Sequence, residues 1–330
     1  MKKSMYYFLF LITVTFTILA GCSEEGNASR SDSGTESGSD NGDGKPKVAV
    51  VLKGSDQEYF KLAEQGAKQA FEDFDVNGTY MAATTQTDTT QIINILEDQL
   101  IEKPDALVVM PSTEEQIPVL QRYNDDGIPV LLIDTNLEWD GKDTYIGTDN
   151  YTAGQTAAEH LASLLSEGDQ IAILEGVTGA KVNEDRVQGV KDKLEELGIE
   201  IVASQSADFD RVKAVTVMEN ILTANPDIDG VFTANDAMGM GALEAVQGKG
   251  LDLPVVGIDG TTDALESISN GGMAGTVSQD PFNMAYLGVE NALKVLDGEK
   301  IDELINSGSK VITQDNAAEE LNRVNELLGK

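Results

Sequence analysis

Short apolar runs alternate with amphipathic stretches along the chain from Lys47 onward. Between the runs, apolar residues recur at helical spacing, as in 58–73, 182–197 and 281–298. This alternation predicts βαβ units and parallel sheets. The strands are too many for one open sheet of usual size, so we predict an α/β fold of two doubly wound lobes. The runs are KVAVVL (47–52), DALVVMP (105–111), PVLLIDT (129–135), TYIGTD (144–149), QIAILEG (170–176), IEIVASQSA (199–207), GVFTAND (230–236), PVVGIDG (254–260) and AGTVSQD (274–280).

Polar side chains stand where several of these strands end. Asp134 follows Leu132-Ile133, Asp259 follows Gly257-Ile258, and Asn235 ends the strand in GVFTAND. A helix N-cap or a turn would explain each residue taken alone. Ligands of doubly wound sheets bind beyond the carboxyl ends of the strands, however, so three equivalent polar ends indicate a binding site.

The N-terminal segment is predicted to be a targeting signal and not part of the fold. Two lysines precede the apolar run 5–19, which is shorter than the ~20 residues of a membrane-spanning helix. The run closes on Leu19-Ala20-Gly21-Cys22, which resembles a bacterial lipoprotein signal. We therefore expect a signal peptide at 1–21, lipidation of Cys22, and attachment to the outer face of the cell membrane. Residues 22–44, rich in Ser, Gly and acids, are predicted to be a disordered tether.

Composition excludes several classes of function. The net charge of −34 over 330 residues repels phosphate backbones, so nucleic acid is not expected as a partner. Cys22 is the only cysteine, so a disulfide within the chain is impossible. Metal-ligand spacings are absent from the sequence, and no cofactor is expected.

Residues 201–246 (IVASQSADFDRVKAVTVMENILTANPDIDGVFTANDAMGMGALEAV) closely resemble the ribose-binding branch of the bacterial periplasmic sugar-binding proteins. Weaker similarity runs from Lys47 to about Lys300 and includes NEDRVQG and GTVSQDP. The resemblance implies a type I periplasmic binding protein, in which two lobes joined by three crossover strands close on a sugar. It also implies a monomer that passes the sugar to an ABC permease. The lobes are predicted at 45–148 with 280–308, and at 149–279 with 309–330.

The resemblance also implies the ligand-binding residues. Asp134 and Asp259 match acids that accept hydrogen bonds from sugar hydroxyls, and Arg186 matches an arginine that donates to sugar oxygens. The remaining matches are amides and aromatic residues; for Phe60, core packing is an alternative role. The amides can donate and accept as hydroxyls do, while the aromatic rings cover the apolar faces of a sugar. The full set is Gln57, Tyr59, Phe60, Asp134, Arg186, Phe209, Asn235, Asp259 and Gln279.

One position departs from the ribose-binding pattern. Thr135 follows Asp134 where that pattern has an arginine, so one strong donor is missing unless Lys53 or Gln57 replaces it. The resemblance therefore leaves the ligand open among ribose, a hexose, an inositol-like polyol and a furanosyl signalling molecule.

An enzyme and a sensor subunit are the two alternatives to a transport protein. A glycosidase would use Asp134 and Asp259 as paired carboxylates, but one acid would need a raised pKa, and a nearby arginine is expected to hold both acids ionised. His160, the single histidine, has no nucleophile motif beside it. We therefore predict that the chain is not an enzyme. The alternative to transport is a sensor subunit that binds a sugar-like signal and docks onto a membrane receptor.

Overall fold

The structure is a computed structural model that describes residues 44–330. The predicted signal peptide, Cys22 and the predicted tether up to residue 43 lie outside the described residues. Strands and helices alternate through the described part, as the apolar pattern predicted. The strands are β1 (Lys47–Leu52), β2 (Asn77–Ala82), β3 (Ala106–Val109), β4 (Val130–Ile133), β5 (Thr144–Gly147), β6 (Gln170–Glu175), β7 (Glu200–Ser206), β8 (Gly230–Thr233), β9 (Val255–Asp259), β10 (Gly275–Gln279), β11 (Leu304–Asn306) and β12 (Ser309–Ile312).

The helices follow their strands closely and match the predicted stretches within a few residues. They are α1 (Glu58–Asp73), α2 (Thr89–Glu102), α3 (Ile117–Asp125), α4 (Asn150–Ala162), α5 (Lys181–Glu196), α6 (Arg211–Ala224), α7 (Asp236–Gly248), α8 (Thr262–Ser269), α9 (Pro281–Leu296) and α10 (Ala317–Leu327).

The strands form two six-stranded sheets. The first has the order β2-β1-β3-β4-β5-β11 and is parallel throughout. The second has the order β7-β6-β8-β9-β10-β12, in which β12 alone runs antiparallel, against β10. Each sheet with its packed helices is called the first or the second lobe below. The predicted fold class is confirmed.

The chain passes between the two sheets at three places. It crosses after β5, again between β10 and α9, and finally between β11 and β12. Helix α9 packs on β3, β4 and α1, while α10 packs on α8. The lobe boundaries given above, 45–148 with 280–308 and 149–279 with 309–330, remain our proposal for the extent of each lobe.

Both lobes are held together by apolar side chains on the two faces of each sheet. In β1, Val48, Val50 and Leu52 face the cluster formed with α1 and α9, and Ala49 and Val51 face the cluster on the opposite side. All five are fully buried. Burial on both faces explains why the central strands are continuous apolar runs, a pattern typical of parallel sheets. This packing fixes the strand ends from which the polar residues project.

Strand β2 was not predicted from the sequence. Its residues, NGTYMA, are all exposed or half-buried because β2 is the edge strand of the first sheet. An edge strand with one solvated face lacks the continuous apolar run that marked the central strands. The strands β11 and β12 are short and mostly exposed, and the apolar pattern did not predict them either.

Candidate functional site

A cavity lies where the carboxyl ends of the strands of the two lobes face each other. It has about 300 Å³ of space free of protein atoms, part of it open to solvent, and about 30 Å³ of it is wide enough for the centre of a water molecule. Its walls are therefore close together. The lining side chains are Lys53, Gln57, Tyr59, Phe60, Gln86 and Asp134 from the first lobe, and Val182, Arg186, Phe209, Asn235 and Asp259 from the second.

The structure brings all nine residues of the predicted site together. Eight of them line the cavity directly. The ninth, Gln279, is buried behind the wall, where its Nε2 donates to Oδ1 of Asp259 at 2.8 Å. Their assembly from separated segments of the chain follows from the fold, since parallel strands end at a common edge. Their roles toward a ligand stay a proposal.

The wall of the first lobe is built around Asp134, which directly follows β4. Tyr59 donates its hydroxyl to Oδ1 of Asp134 at 2.7 Å, and Thr135 donates to Oδ2 at 2.8 Å. The ammonium group of Lys53 pairs with the same Oδ2 and also donates to the Thr135 hydroxyl at 3.0 Å. Lys53 is only 4% exposed. It stands beside Thr135, and thus supplies a cation next to the residue that replaces the arginine of the ribose-binding pattern.

These contacts decide the ionisation of Asp134. Burial raises the pKa of this carboxyl, but the charge of Lys53 and the hydrogen bonds from Lys53, Tyr59 and Thr135 outweigh burial, so the net pKa is lowered. Burial and the neighbouring Asp134 carboxylate raise the pKa of Tyr59 well above its usual value. The phenol therefore stays protonated and remains a donor. Asp134 is an ionised acceptor whose charge is balanced within its own lobe.

The wall of the second lobe is built around Asp259, which ends β9. Nη1 of Arg186 lies 3.5 Å from Oδ1 of Asp259, a longer contact than the 2.8 Å bond from Gln279. Burial raises the pKa of Asp259 to about 7, against the lowering effect of Arg186, and the nearby Asp236 carboxylate adds to the increase. The expectation that the arginine would hold both acids ionised is wrong for Asp259, because burial outweighs a cation at this distance.

Arg186, on α5, is held mainly by groups other than Asp259. Its Nε donates to Oδ1 of Asn150 at 2.8 Å, and its Nη1 donates to the carbonyl oxygen of Ala234 at 2.8 Å. The guanidinium is 4% exposed and lines the cavity. These bonds fix its plane, which is how an arginine becomes a preorganised donor to a ligand oxygen. They also explain its loose contact with Asp259.

Asp236 supports the loop that carries Asp259. It is fully buried at the start of α7, and its carboxylate accepts hydrogen bonds from the backbone N–H groups of Gly260 at 2.7 Å and Thr261 at 3.0 Å. The hydroxyl of Thr276 donates to its other oxygen at 2.7 Å. Burial raises the pKa of Asp236 to about 6. Asp236 therefore fixes the turn after β9 without lining the cavity.

Amide side chains join the two walls across the cavity. Nε2 of Gln57 donates to the carbonyl oxygen of Phe209 at 3.2 Å, and Nδ2 of Asn235 lies 3.5 Å from Oε1 of Gln57. Asn235 also caps α7, since its Oδ1 accepts from the backbone N–H of Met238 at 3.0 Å. The side-chain oxygen of Asn235 therefore caps the helix, while its NH₂ group faces Gln57 in the cavity.

Two aromatic rings occupy equivalent places in the two lobes, each against a glycine. A Cβ atom at Gly54 would lie 2.5 Å from the Phe60 ring, and one at Gly176 would lie 2.1 Å from the Phe209 ring. No side chain larger than hydrogen fits at these positions while the rings stay in place. Phe60 belongs to the core of the first lobe and also lines the cavity, so the structure supports both of its anticipated positions.

Three of the six non-glycine residues with positive φ in the described part of the chain belong to the predicted site. Asp134 has φ 64°, Phe209 has φ 58° and Asp259 has φ 143°, all in the region that side-chain-bearing residues avoid. Such conformations cost of order 1–3 kcal/mol each and cluster at binding sites, where the surrounding structure imposes them. The turn bonds from Asp236 supply part of that support in the second lobe.

Sequence reasoning missed several parts of the site. Gln86 and Val182 line the cavity but lie in a loop and at a helix start, where no strand-end signal marks them. Asn150 could not be connected to Arg186 without coordinates. Lys53 was named from the sequence only as a possible replacement for the missing arginine; it directly follows β1 as Asp134 follows β4, and it lines the cavity. His160 lies outside the cavity lining, with its Nε2 3.1 Å from the carbonyl oxygen of Ala274.

Among residues 44–330 no cluster of His, Cys, Asp and Glu is arranged to hold a metal ion. Within the same residues, no helix combines the length and apolar character needed to cross a bilayer.

Comparison with known proteins identifies the family. Residues 48–300 match the model of the periplasmic binding protein domain. The chain belongs to the periplasmic binding protein family. The ribose import binding protein of Bacillus subtilis is 38% identical over 230 residues, which cover 69% of this chain and 75% of that protein. The resemblance inferred from the sequence is thereby confirmed.

Solved structures of this family superpose on most of the chain. A periplasmic solute-binding protein of an ABC transporter from Actinobacillus succinogenes, with bound D-allose, has a TM-score of 0.79 and 33% identity, covering 83% of this chain and all of that one. A carbohydrate transporter solute-binding protein from Agrobacterium radiobacter, in complex with D-arabinose, has a TM-score of 0.81 and 27% identity, covering 86% of this chain and 99% of that one. These relatives are transport binding proteins, which confirms the prediction that the chain is not an enzyme.

Proposed function

We propose that this chain is an extracytoplasmic, lipid-anchored solute-binding protein of an ABC importer. In this proposal it captures a monosaccharide or a related polyol between its two lobes and delivers it to a membrane permease. The observation that carries the proposal is the narrow cavity between the lobes, which is lined by Asp134 and Asp259 together with Arg186 and three amide side chains.

The donor and acceptor inventory of the cavity fits a polyhydroxylated ligand. Every sugar hydroxyl both donates and accepts, and the cavity offers carboxylate acceptors, amides that do both, and cationic donors at Lys53 and Arg186. The Asp134 carboxylate is paired with Lys53 within the first lobe, so that half of the cavity has no unbalanced charge for a charged ligand to neutralise. Phe60 and Phe209 supply apolar surface for the C–H faces of a ring. A site built around hydroxyls rejects analogues that leave its buried groups unpaired.

The relatives narrow the class of ligand. Ribose, D-allose and D-arabinose appear in the names of the three relatives described above. Thr135 stands where the ribose-binding pattern has an arginine, and Lys53 supplies a cation beside it. We therefore propose an aldose or an inositol-like polyol as the ligand class, without fixing ribose itself.

The test is a calorimetric titration of the soluble segment 45–330 with D-ribose, D-allose, D-arabinose, D-glucose and myo-inositol. We expect one of them to bind, and to raise the melting temperature because it binds only the native state. D-Mannitol, an open-chain polyol with the same functional groups, is the control for ring recognition. Failure of every sugar and polyol to bind would contradict the proposal.

Lipid anchoring is tested separately. Cys22→Ser should release the protein from membranes into the soluble fraction, and firm attachment of that variant would contradict the anchor. Neighbouring genes for an ATPase and a permease would support delivery to an importer. A lone neighbouring receptor kinase would instead favour the sensor alternative.

A further inference from the structure

Glu58 makes contacts that the cavity does not explain. It is the first residue of α1, between the cavity residues Gln57 and Tyr59, but its own side chain is not part of the cavity lining. Its carboxylate reaches the second lobe instead. Oε1 accepts a hydrogen bond from the backbone N–H of Thr262 at 2.7 Å, and Oε2 accepts one from the Thr262 hydroxyl at 2.6 Å.

The contact falls at the N-terminus of α8, whose own N-cap side chain leaves the first N–H group, that of Thr262, without a partner. Thr261 is the N-cap residue, and its side chain makes no capping hydrogen bond. The first N–H groups of a helix have no partner within the helix, and the helix dipole favours negative charge there. Glu58 therefore supplies from the first lobe the cap that α8 lacks in the second.

The electrostatics of Glu58 agree with a favourable contact. Burial raises the pKa of this half-buried carboxyl, but the hydrogen bonds from Thr262 and the charge of Lys330 outweigh burial and lower it. Nζ of Lys330 lies 3.1 Å from Oε2 on an exposed side, so its own contribution is small. The carboxylate is ionised and bound chiefly by Thr262.

A second contact from the same helix face crosses between the lobes. Leu62, one turn after Glu58, is 5% exposed and belongs to the apolar cluster of the second lobe. Residues four apart share a face of a helix. One face of α1 therefore carries a polar and an apolar contact to the second lobe.

We propose that Glu58 is a positioning residue that holds the two lobes together by capping α8 across the cleft, and so sets how long the ligand stays bound. Gln57 and Tyr59 flank it on one wall, and Asp259 lies three residues before Thr262 on the other. The contact exists only while the lobes are together, so it shifts the population toward the closed arrangement. The dependence on a ligand rests on the function proposed above.

The test uses the full chain in detergent, with D-ribose and D-allose as probes. Glu58→Ala should raise the dissociation rate of the bound sugar about tenfold and leave the association rate within about twofold, since it removes a charge-assisted bond of the closed state. Glu58→Gln, which keeps an acceptor and a donor toward Thr262, should fall between. Glu72→Ala, the same substitution at an exposed position of α1, is the control.

A variant of Thr262, the residue that Glu58 contacts, distinguishes loss of this contact from general destabilisation. Thr262→Val removes only the hydroxyl bond and should give a smaller increase in dissociation rate. Combined with Glu58→Ala, it should add almost nothing, because the hydroxyl has then already lost its partner. Dissociation of the Glu58→Ala variant at the rate of the Glu72→Ala control, or fully additive effects, would overturn the proposal.

A measurement without sugar distinguishes failure of this proposal from failure of the proposed function. If neither sugar binds the wild-type chain, the choice of ligand is wrong. Hydrogen exchange of the Thr262 amide then decides the role of Glu58. Faster exchange in Glu58→Ala than in Glu72→Ala supports the cap, and equal exchange in the two variants rejects it.

Discussion

Asp134 and Asp259 occupy matching places in the two lobes, yet their surroundings differ. Each lies at the carboxyl end of a central strand, Asp134 directly after β4 and Asp259 as the last residue of β9; each has positive φ and lines the cavity. Asp134 has a paired ammonium and two hydroxyl donors within its own lobe, whereas Asp259 has one amide donor and an arginine 3.5 Å away. One topology therefore gives two acids with opposite shifts in pKa, because charge partners and burial are set by neighbouring side chains and not by the fold.

The difference indicates that the two acids have different roles. Asp134 is ionised and satisfied by its own lobe, so its partners chiefly hold the wall of the first lobe in shape. Asp259 is buried with only one close donor and a more distant arginine. A ligand hydroxyl that donates to it would therefore supply a hydrogen bond that the protein does not. We therefore expect changes around Asp134 to lower the free energy of unfolding, and changes at Asp259 to lower the affinity for ligand.

The largest effect is expected from breaking the buried ion pair. Lys53→Met should lower the free energy of unfolding by about 3–5 kcal/mol, because it leaves the Asp134 carboxylate buried without its cation. Urea unfolding of segment 45–330 without ligand measures this. Lys68→Met, which breaks a surface pair with Glu64, should cost less than about 1 kcal/mol and serves as the control.

A double variant checks the cause. Lys53→Met combined with Asp134→Asn removes both charges and should recover much of the loss. An unfolding midpoint of Lys53→Met equal to that of Lys68→Met would show that the first-lobe pair contributes nothing net to the fold.

The next effect concerns binding. Asp259→Ala should weaken the binding of the sugar found by titration by about 2–4 kcal/mol, since the loss includes partners left buried and unpaired. Stability without ligand should change much less. Asp252→Ala, at an exposed loop position, controls for loss of one negative charge.

If Asp259 acted instead as a helix cap, Asp259→Ala would lower stability more than ligand affinity. Removing a cap costs about 0.5–2 kcal/mol of stability and leaves affinity almost unchanged. The structure places the N-cap of α8 at Thr261, two residues later. The Asp259 carboxylate contacts Gln279 and Arg186 instead. Unchanged affinity with a lowered unfolding midpoint would nevertheless remove Asp259 from the site.

The pH dependence of stability should separate the two acids. The folded pKa of Asp259, about 7, lies above its ordinary value of 3.8. Between these values the native state holds a proton that the unfolded state releases, so this group makes stability fall as pH rises. Asp259→Asn should make that fall less steep, by up to about 1.4 kcal/mol per pH unit. Urea unfolding at several pH values from 4.5 to 7 measures the slope.

Asp134→Asn is the matched control for this slope. The folded pKa of Asp134 is lowered, so its stabilising contribution is present above the ordinary value of 3.8 and is lost only as pH falls below it. This variant should change the slope from pH 4.5 to 7 only slightly, because the Asp134 charge is the smallest of the named effects that raise the pKa of Asp259. Equal changes of slope in the two variants would contradict the electrostatic difference between the lobes. Asp236, whose pKa is raised to about 6, contributes in the same direction as Asp259 and remains in both variants.

The sequence predicted the features of the molecule that depend on local pattern. Buried central strands such as β1 and β9 are continuous apolar runs, and the parallel topology then places Asp134, Asn235 and Asp259 at a common edge. The edge strand β2 was not predicted, because its mostly exposed residues form no apolar run.

Other parts of the site could not follow from pattern. Arg186 comes from a helix and Phe209 from a loop, so only resemblance to a family indicated them. The pKa of Asp259 depends on how far Arg186 is drawn toward Asn150 and Ala234, which is a matter of three-dimensional distance. The contact between Glu58 and Thr262 joins residues 204 positions apart and has no local signal.

The smallest effect tests how completely the first lobe satisfies its acid. Tyr59→Phe removes one hydroxyl donor from Asp134 but leaves Lys53 and Thr135 in place. The free energy of unfolding should fall by about 1.5 kcal/mol, the low end for a hydrogen bond to a charged group, since the carboxylate keeps its cation. The ring itself is retained, so packing against Phe60 should change little. Urea unfolding beside Lys53→Met gives the comparison. A loss as large as that of Lys53→Met would mean that the donors of Asp134 act as one cooperative network, and that its charge is not balanced by Lys53 alone.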